Sequence, residues 1–253
     1  VIVSGMGGSG IGGDIASAFY HHENSLQVVP WKNYELPSWA SNKDCVICIS
    51  YSGNTAETLS AAKEAIRLGC KLEVITTGGK LEKLASENNC SITNVEKGHQ
   101  PRAALPLLLT PLLYKLGIPN LDTQIEEVRK LPIREERAQE IAETLKGKIP
   151  CIYANGIMGP AAYRWRCQIE ENAKQMAFHH EIPEMNHNEI VGWENPPEDF
   201  AVVLIRDSQE DGIIRKRFNT TKKVAWESKN EPKLEIVEIL AEGKSLLARM
   251  MSC

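Results

Sequence analysis

Cys45-Val46-Ile47-Cys48-Ile49-Ser50-Tyr51-Ser52-Gly53-Asn54-Thr55-Ala56-Glu57-Thr58 reads as a buried strand, a hydroxyl-rich turn and the start of a helix. A short apolar run bounded by turn residues suits a strand covered on both faces, and the spacing predicts a helix over Thr55–Leu68. Ser50, Ser52 and Thr55 place three hydroxyls at the carboxyl end of the strand and in the first helical turn. The N–H groups there have no partner within the helix. Together they can surround a phosphate without a lysine, since a hydrogen bond to a charged group contributes about 1.5–3 kcal/mol. A lone serine here would read as a helix cap. Three hydroxyls at the carboxyl end of a parallel strand point instead to an anion site.

The same alternation runs outward on both sides. Strands are expected at Val1–Ser4, Leu26–Pro30, Leu72–Thr76 and Ser91–Val95, with helices at Ile11–His22 (Asp14 in its first turn) and Leu81–Glu87. Gln100–Leu116 is helical in pattern, with kinks expected at Pro106 and Pro111. Leu121–Lys146 carries Glu, Lys and Arg at helical spacing and reads as a solvated connector that Gly147 ends. The pattern then restarts: a strand at Pro150–Ala154, a turn over Asn155–Pro160, a helix at Ala161–Gln175, an irregular stretch over 179–193 and a strand at Ala201–Arg206. A helix at Gln209–Phe218, strands at Val224–Glu227 and Leu234–Leu240, and a terminal helix follow. The expectation is an α/β protein of two tandem, doubly wound, parallel-sheet domains in three αβα layers, residues 1–118 and 148–253, with a helical connector over 119–147. In the second copy the first turn is degraded.

Gly5-Met6-Gly7-Gly8-Ser9-Gly10 joins the first strand to the first helix. Its spacing matches the dinucleotide fingerprint G-x-G-x-x-G. That fingerprint expects an acid at the end of the second strand to hold a ribose, and Val29-Pro30-Trp31-Lys32 supplies none. A nucleotide-dependent oxidoreductase is therefore disfavoured, and the loop reads as a second phosphate cradle.

Composition narrows the class. Of 253 residues, 42% are apolar and 25% charged, with a net charge of −4; no global basic field attracts nucleic acid, and no apolar run suits a membrane span. The seven cysteines are irregularly spaced, so buried thiols and a reducing cytoplasm are expected. Cys45 and Cys48 form a C-x-x-C on a strand, where they point to opposite faces and cannot share a metal.

An anion site alone does no chemistry; acid–base catalysis needs a positioned group to move a proton and a fixed cation to stabilise developing negative charge. Gln168–Lys174 carries adjacent carboxylates, Glu170 and Glu171, about 100° apart on a helix; either could serve as the base. His179–Trp193 is polar and aromatic, as site loops often are. Its His and Glu residues lack clear metal-ligand spacing, and His179 and His180 read as ordinary loop residues.

Gly5–Gly10 followed by Ser50–Thr55 resembles the SIS (sugar isomerase) domain. With Gln100-Pro101-Arg102-Ala103-Ala104-Leu105-Pro106, Glu171-Asn172-Ala173-Lys174 and Asn186-His187-Asn188-Glu189 in order, the chain resembles the bifunctional phosphoglucose/phosphomannose isomerases. The resemblance implies that Gly8, Ser9, Ser50, Ser52 and Thr55 hold the sugar phosphate. It implies that Arg102 stabilises the enediolate, that Glu171 shuttles the proton between C1 and C2, and that His187 assists ring opening, supplied across a dimer interface in some cases. The site is expected between the domains, at the carboxyl ends of the first domain's strands, with no metal or organic cofactor. A hexose 6-phosphate is the expected substrate, and a cytoplasmic homodimer, with no nucleic-acid or membrane partner, the expected form. Another SIS isomerase, or a non-catalytic sugar-phosphate regulator, is the alternative. The family also uses a C-terminal lysine and threonine that match no residue here, Lys244 lying too early. With Val1 read as part of a strand, the sequence is expected to be a piece of a longer chain; were the lysine truly lacking, ring opening would suffer while phosphate binding survived.

Overall fold

The computed structural model describes residues 1–20, 26–227 and 234–253, which form two compact units, Val1–Leu121 and Asp122–Cys253. In the first, β1 (Ile2–Ser4), α1 (Gly7–Phe19), β2 (Val29–Trp31), β3 (Cys45–Ser50), α2 (Ala56–Leu68), β4 (Lys71–Thr76), α3 (Gly79–Glu87) and β5 (Ser91–Asn94) alternate along the chain. All pairings are parallel and the strand order is β2-β1-β3-β4-β5. Five of the six β3 residues are buried, as a central strand covered on both faces requires. Val46, Cys48, Leu72 and Val74 pack on Ala61, Ala62 and Ala65 of α2 and on Leu81 and Ala85 of α3. The alternate residues of the strands face the other layer, made by α1 and by α4 (Leu105–Leu116). There Lys115 of α4 pairs with Glu73 of β4 at 2.6 Å.

The second unit holds α5 (Leu121–Arg129), α6 (Glu135–Leu145), β6 (Ile149–Asn155), α7 (Gly159–Gln168), β7 (Phe178–Ile182), α8 (Glu189–Gly192), β8 (Phe200–Asp207), α9 (Gly212–Thr221), β9 (Glu235–Ala241) and α10 (Leu246–Met251). Its sheet is again parallel, in the order β7-β6-β8-β9. From Asp122 onward α5 clusters with this unit, as does α6. The Glu127 carboxylate of α5 accepts from the backbone N–H groups of Lys244 and Ser245, just before α10.

Several expectations change. The first helix begins at Gly7 rather than Ile11, so Asp14 sits mid-helix; His21 and His22, at its expected end, lie outside the described residues. Around Pro106 the break falls at Ala104, between a 3-10 turn (Pro101–Ala103) and α4, and Pro106 occupies the first turn, where a missing N–H costs nothing. Phe178–Ile182 is an edge strand rather than loop, so His179 and His180 are sheet residues. Lys222–Glu227 is a π-helical extension of α9 rather than a strand, with Ala225 and Trp226 buried. The helix bearing Glu170 and Glu171 ends in a π turn, Ile169–Ala173.

Candidate functional site

In the first unit, β1 leads through α1 to β2 on one side while β3 lies on the other. The crevice outside the carboxyl ends of β1 and β3 is thus a topological switch point, where parallel α/β sheets bind ligands. The Gly5–Gly10 and Ser50–Thr55 loops leave these two strands side by side. Ser9 Oγ accepts from the Tyr51 N–H at 3.3 Å. Ser50 is buried, and its Oγ lies 2.9 Å from Thr55 Oγ1. Ser52 is exposed and its Oγ accepts from the Asn54 N–H at 3.2 Å. Thr55 is the N-cap of α2 but makes no side-chain cap bond, which leaves the first N–H groups of α2 open to a ligand.

Two close approaches fix these loops. A Cβ on Gly8 would lie 3.0 Å from Pro101 O and 3.6 Å from Arg102 Cα, so the Arg102 turn is pressed against the start of α1. Gly53, at φ 65°, lies against the turn after β4: a Cβ there would sit 1.7 Å from Gly78 O. Tyr51 connects the two halves of the site. Its hydroxyl donates to Glu96 O at 3.0 Å and accepts from the His99 N–H at 2.9 Å, anchoring the segment that leads to Arg102. The structure therefore gathers Gly8, Ser9, Ser50, Ser52, Thr55 and the Arg102 backbone around one strand-end crevice. Tyr51 was not singled out from the sequence; only its place inside the hydroxyl loop hinted at it. Beside α1, Lys32 pairs with Asp14 at 2.5 Å. Burial pushes the Asp14 carboxyl above its ordinary range, with Lys32 pulling against it.

In the second unit, the end of β8 carries no hydroxyl loop. Arg206 pairs with Glu210 and with Glu238, the latter at 2.7 Å, and Arg249 pairs with Asp207 at 2.7 Å. Arg206, Asp207, Glu210 and Arg249 are buried, Glu238 is exposed, and removing one partner of a buried pair typically costs about 3–5 kcal/mol.

Glu171 is half-buried on the π turn that follows α7, and the turn ends at Lys174 in the left-handed region (φ 59°). The Lys174 ammonium donates to Glu171 O at 2.6 Å. Glu170 lies 3.6 Å from Arg166, while the Glu171 carboxylate acts on Arg164: burial lowers the Arg164 pKa and Glu171 opposes that shift. Arg164 precedes Glu171 by seven residues, two helical turns, a spacing readable in the sequence. His187 ends a 3-10 turn, Glu184–His187, and is exposed. Among the described residues, no three His, Cys, Asp or Glu side chains gather so as to hold a metal ion. No helix there is long and apolar enough to cross a membrane.

Residues 1–110 match the SIS domain family, and residues 134–253 match the bacterial phospho-glucose isomerase C-terminal SIS domain. The chain is 37% identical to a bifunctional phosphoglucose/phosphomannose isomerase of Aquifex aeolicus, covering 99% of this chain and 79% of the relative. It is 38% identical to the protein of that name in Caldicellulosiruptor bescii, covering 100% of this chain and 79% of that one. The crystal structure of Escherichia coli tagatose-6-phosphate ketose/aldose isomerase shares the fold, with a TM-score of 0.71 at 16% identity over 98% of this chain and 72% of that one. Two SIS domains with parallel sheets, in this order and at this identity, place the chain in the bifunctional phosphoglucose/phosphomannose isomerase family.

Proposed function

We propose that this protein interconverts glucose 6-phosphate or mannose 6-phosphate with fructose 6-phosphate, holding the sugar by its phosphate at the strand-end crevice of the first unit. The observation that carries this reading is the meeting of the two loops at the switch point, with the hydroxyls of Ser9, Ser50, Ser52 and Thr55 beside the open N-terminus of α2. The phosphate supplies binding energy remote from the reacting carbons, which positions them for proton transfer. His187 exchanges a proton with the ring and anomeric oxygens to give the open-chain aldose. The Glu171 carboxylate removes the C2 proton; the C–H electrons form the C1=C2 bond, and the carbonyl oxygen at C1 takes on negative charge that Arg102 stabilises. Glu171 returns its proton to C1 while the C2 hydroxyl becomes the ketone and its proton passes to O1. No metal or organic cofactor enters this scheme. A homodimer in the cytoplasm completes the proposal; the seven free thiols suit a reducing compartment.

A coupled assay for fructose 6-phosphate formation, run in the full chain with each aldose phosphate, tests the reaction. The Ser52→Ala/Thr55→Ala double variant tests the cradle. Two charge-assisted hydrogen bonds contribute about 3–6 kcal/mol together, so affinity measured by calorimetry should fall about 10²-fold or more. Thr55→Ala also strands the buried Ser50 hydroxyl, 2.9 Å from Thr55 Oγ1, so about 1–3 kcal/mol of stability should be lost alongside. Undiminished affinity would remove the phosphate from this loop.

A further inference from the structure

His187 is exposed at the end of a one-turn segment, Glu184–His187, whose Met185 is buried in the core. The chain on either side of it is tied down. One residue earlier, Asn186 donates from Nδ2 to Thr221 Oγ1 of α9 at 2.8 Å. Two residues later, the Glu189 carboxylate bridges two strands: Oε1 accepts from the Tyr153 hydroxyl of β6, and Oε2 lies 2.8 Å from His180 Nδ1 of β7. Across the turn itself, Asn188 Oδ1 accepts from the Glu189 N–H at 2.6 Å and its Nδ2 donates to Glu184 Oε1 at 2.8 Å.

The far end of this network is rigid. Tyr153 is fully buried, stacks on Trp226 with centroids 5.4 Å apart, and its oxygen accepts from Trp193 Nε1 at 2.9 Å. Burial pushes its hydroxyl well above the usual phenol range, so it remains a donor at working pH. Trp193 is held in the same aromatic core against Trp226 and Phe200 and needs no carboxylate to fix it. The turn bearing His187 ends two residues before this anchor, so the bonds of Glu189 hold its C-terminal side as Met185 holds its middle.

Resting on the reading of His187 as the ring-opening group, we propose that Glu189 is a positioning residue for His187, transmitting the rigidity of the Tyr153–Trp193–Trp226 core to that turn. A misplacement of about 1 Å can cost about 10²-fold in rate. Glu189→Ala is therefore expected to lower kcat by about 10–100-fold with KM within about threefold, the pattern of lost transition-state alignment. Glu189→Gln can still accept from Tyr153 and meet His180, and should restore kcat to within about fivefold of the parent.

The deciding measurement is a double-mutant cycle in the full chain with His187→Ala. If Glu189 acts through His187, adding Glu189→Ala to His187→Ala leaves kcat unchanged within about twofold. An equal loss in both backgrounds, or an undiminished kcat for Glu189→Ala alone, overturns the proposal. Should Glu189→Ala fail to fold by circular dichroism, Tyr153→Phe removes one anchor of the carboxylate and is read through the same cycle. A slow His187→Ala beside a fast Glu189→Ala sinks the anchor alone. A fully active His187→Ala sinks the role of His187 and the anchor with it.

Discussion

Replacing Glu171 by Gln is expected to lower kcat by about 10²–10⁴-fold, the usual contribution of a general base, and to leave hexose 6-phosphate affinity within about threefold. The two effects should separate because the hydroxyls proposed to hold the phosphate belong to loops of the first unit, whereas Glu171 lies on the π turn after α7. The substitution keeps shape and removes only charge and basicity. Neighbouring Glu170 supplies the internal control. It lies 3.6 Å from Arg166 on the same helix and is engaged there. Glu171 instead acts on Arg164, opposing the lowering of that guanidinium's pKa by burial. Glu170→Gln should therefore change kcat by less than about threefold, and weaken only a half-exposed pair of about 0–1 kcal/mol. Steady-state kinetics on both variants, with calorimetric binding of the substrate, check the assignment. A severe loss in Glu170→Gln with a mild one in Glu171→Gln would exchange the two residues.

Much of this was legible because the chemistry lies in contiguous segments. The run from Cys45 to Thr58 declares itself: a strand covered on both faces has no polar face to blur its pattern, and the hydroxyls follow without a gap. Phe178-His179-His180-Glu181-Ile182 could not declare itself in that way. It is an edge strand with a single neighbour, β6, and only Ile182 is buried, so little apolar patterning is required of it. Val224-Ala225-Trp226 gave the opposite error. An apolar triplet suggested a strand, but α9 continues as a π turn that buries Ala225 and Trp226 while Val224 stays exposed. Glycines at 7, 8 and 10 looked like loop, yet tertiary packing brings them into α1 despite their low helix propensity. Arg102 at Gly8, the tie through Tyr51 and the carboxylate bridge at Glu189 are contacts between distant segments, and no local spacing encodes them.

Gly53→Ala should cost about 2–5 kcal/mol of stability and lower phosphosugar affinity in the protein that still folds, because two separate penalties coincide there. One is conformational: Gly53 has φ 65°, in the left-handed region, where a Cβ adds about 1–2 kcal/mol. The other is steric. The Cβ would fall 1.7 Å from Gly78 O and 2.9 Å from Thr76 Oγ1, so backbone rather than a flexible side chain would have to yield. The turn after β4 has little room to withdraw, since a Cβ on Gly79 would itself meet Ser52 O at 2.6 Å. Parting the two turns would also strain the Leu81 N–H bond to Gly53 O, 2.9 Å, and the Thr77 hydroxyl bond to Tyr51 O, 2.6 Å. Those bonds hold the backbone from which Ser52 and Thr55 project. Gly117 separates the penalties: it has nearly the same backbone, φ 73°, but a Cβ there meets nothing within 4 Å. Gly117→Ala should therefore lose only the conformational term and keep full affinity. Denaturant melts and calorimetry on both variants measure the difference. Equal losses would mean that the two turns are not packed back to back, and that the cradle does not depend on their contact.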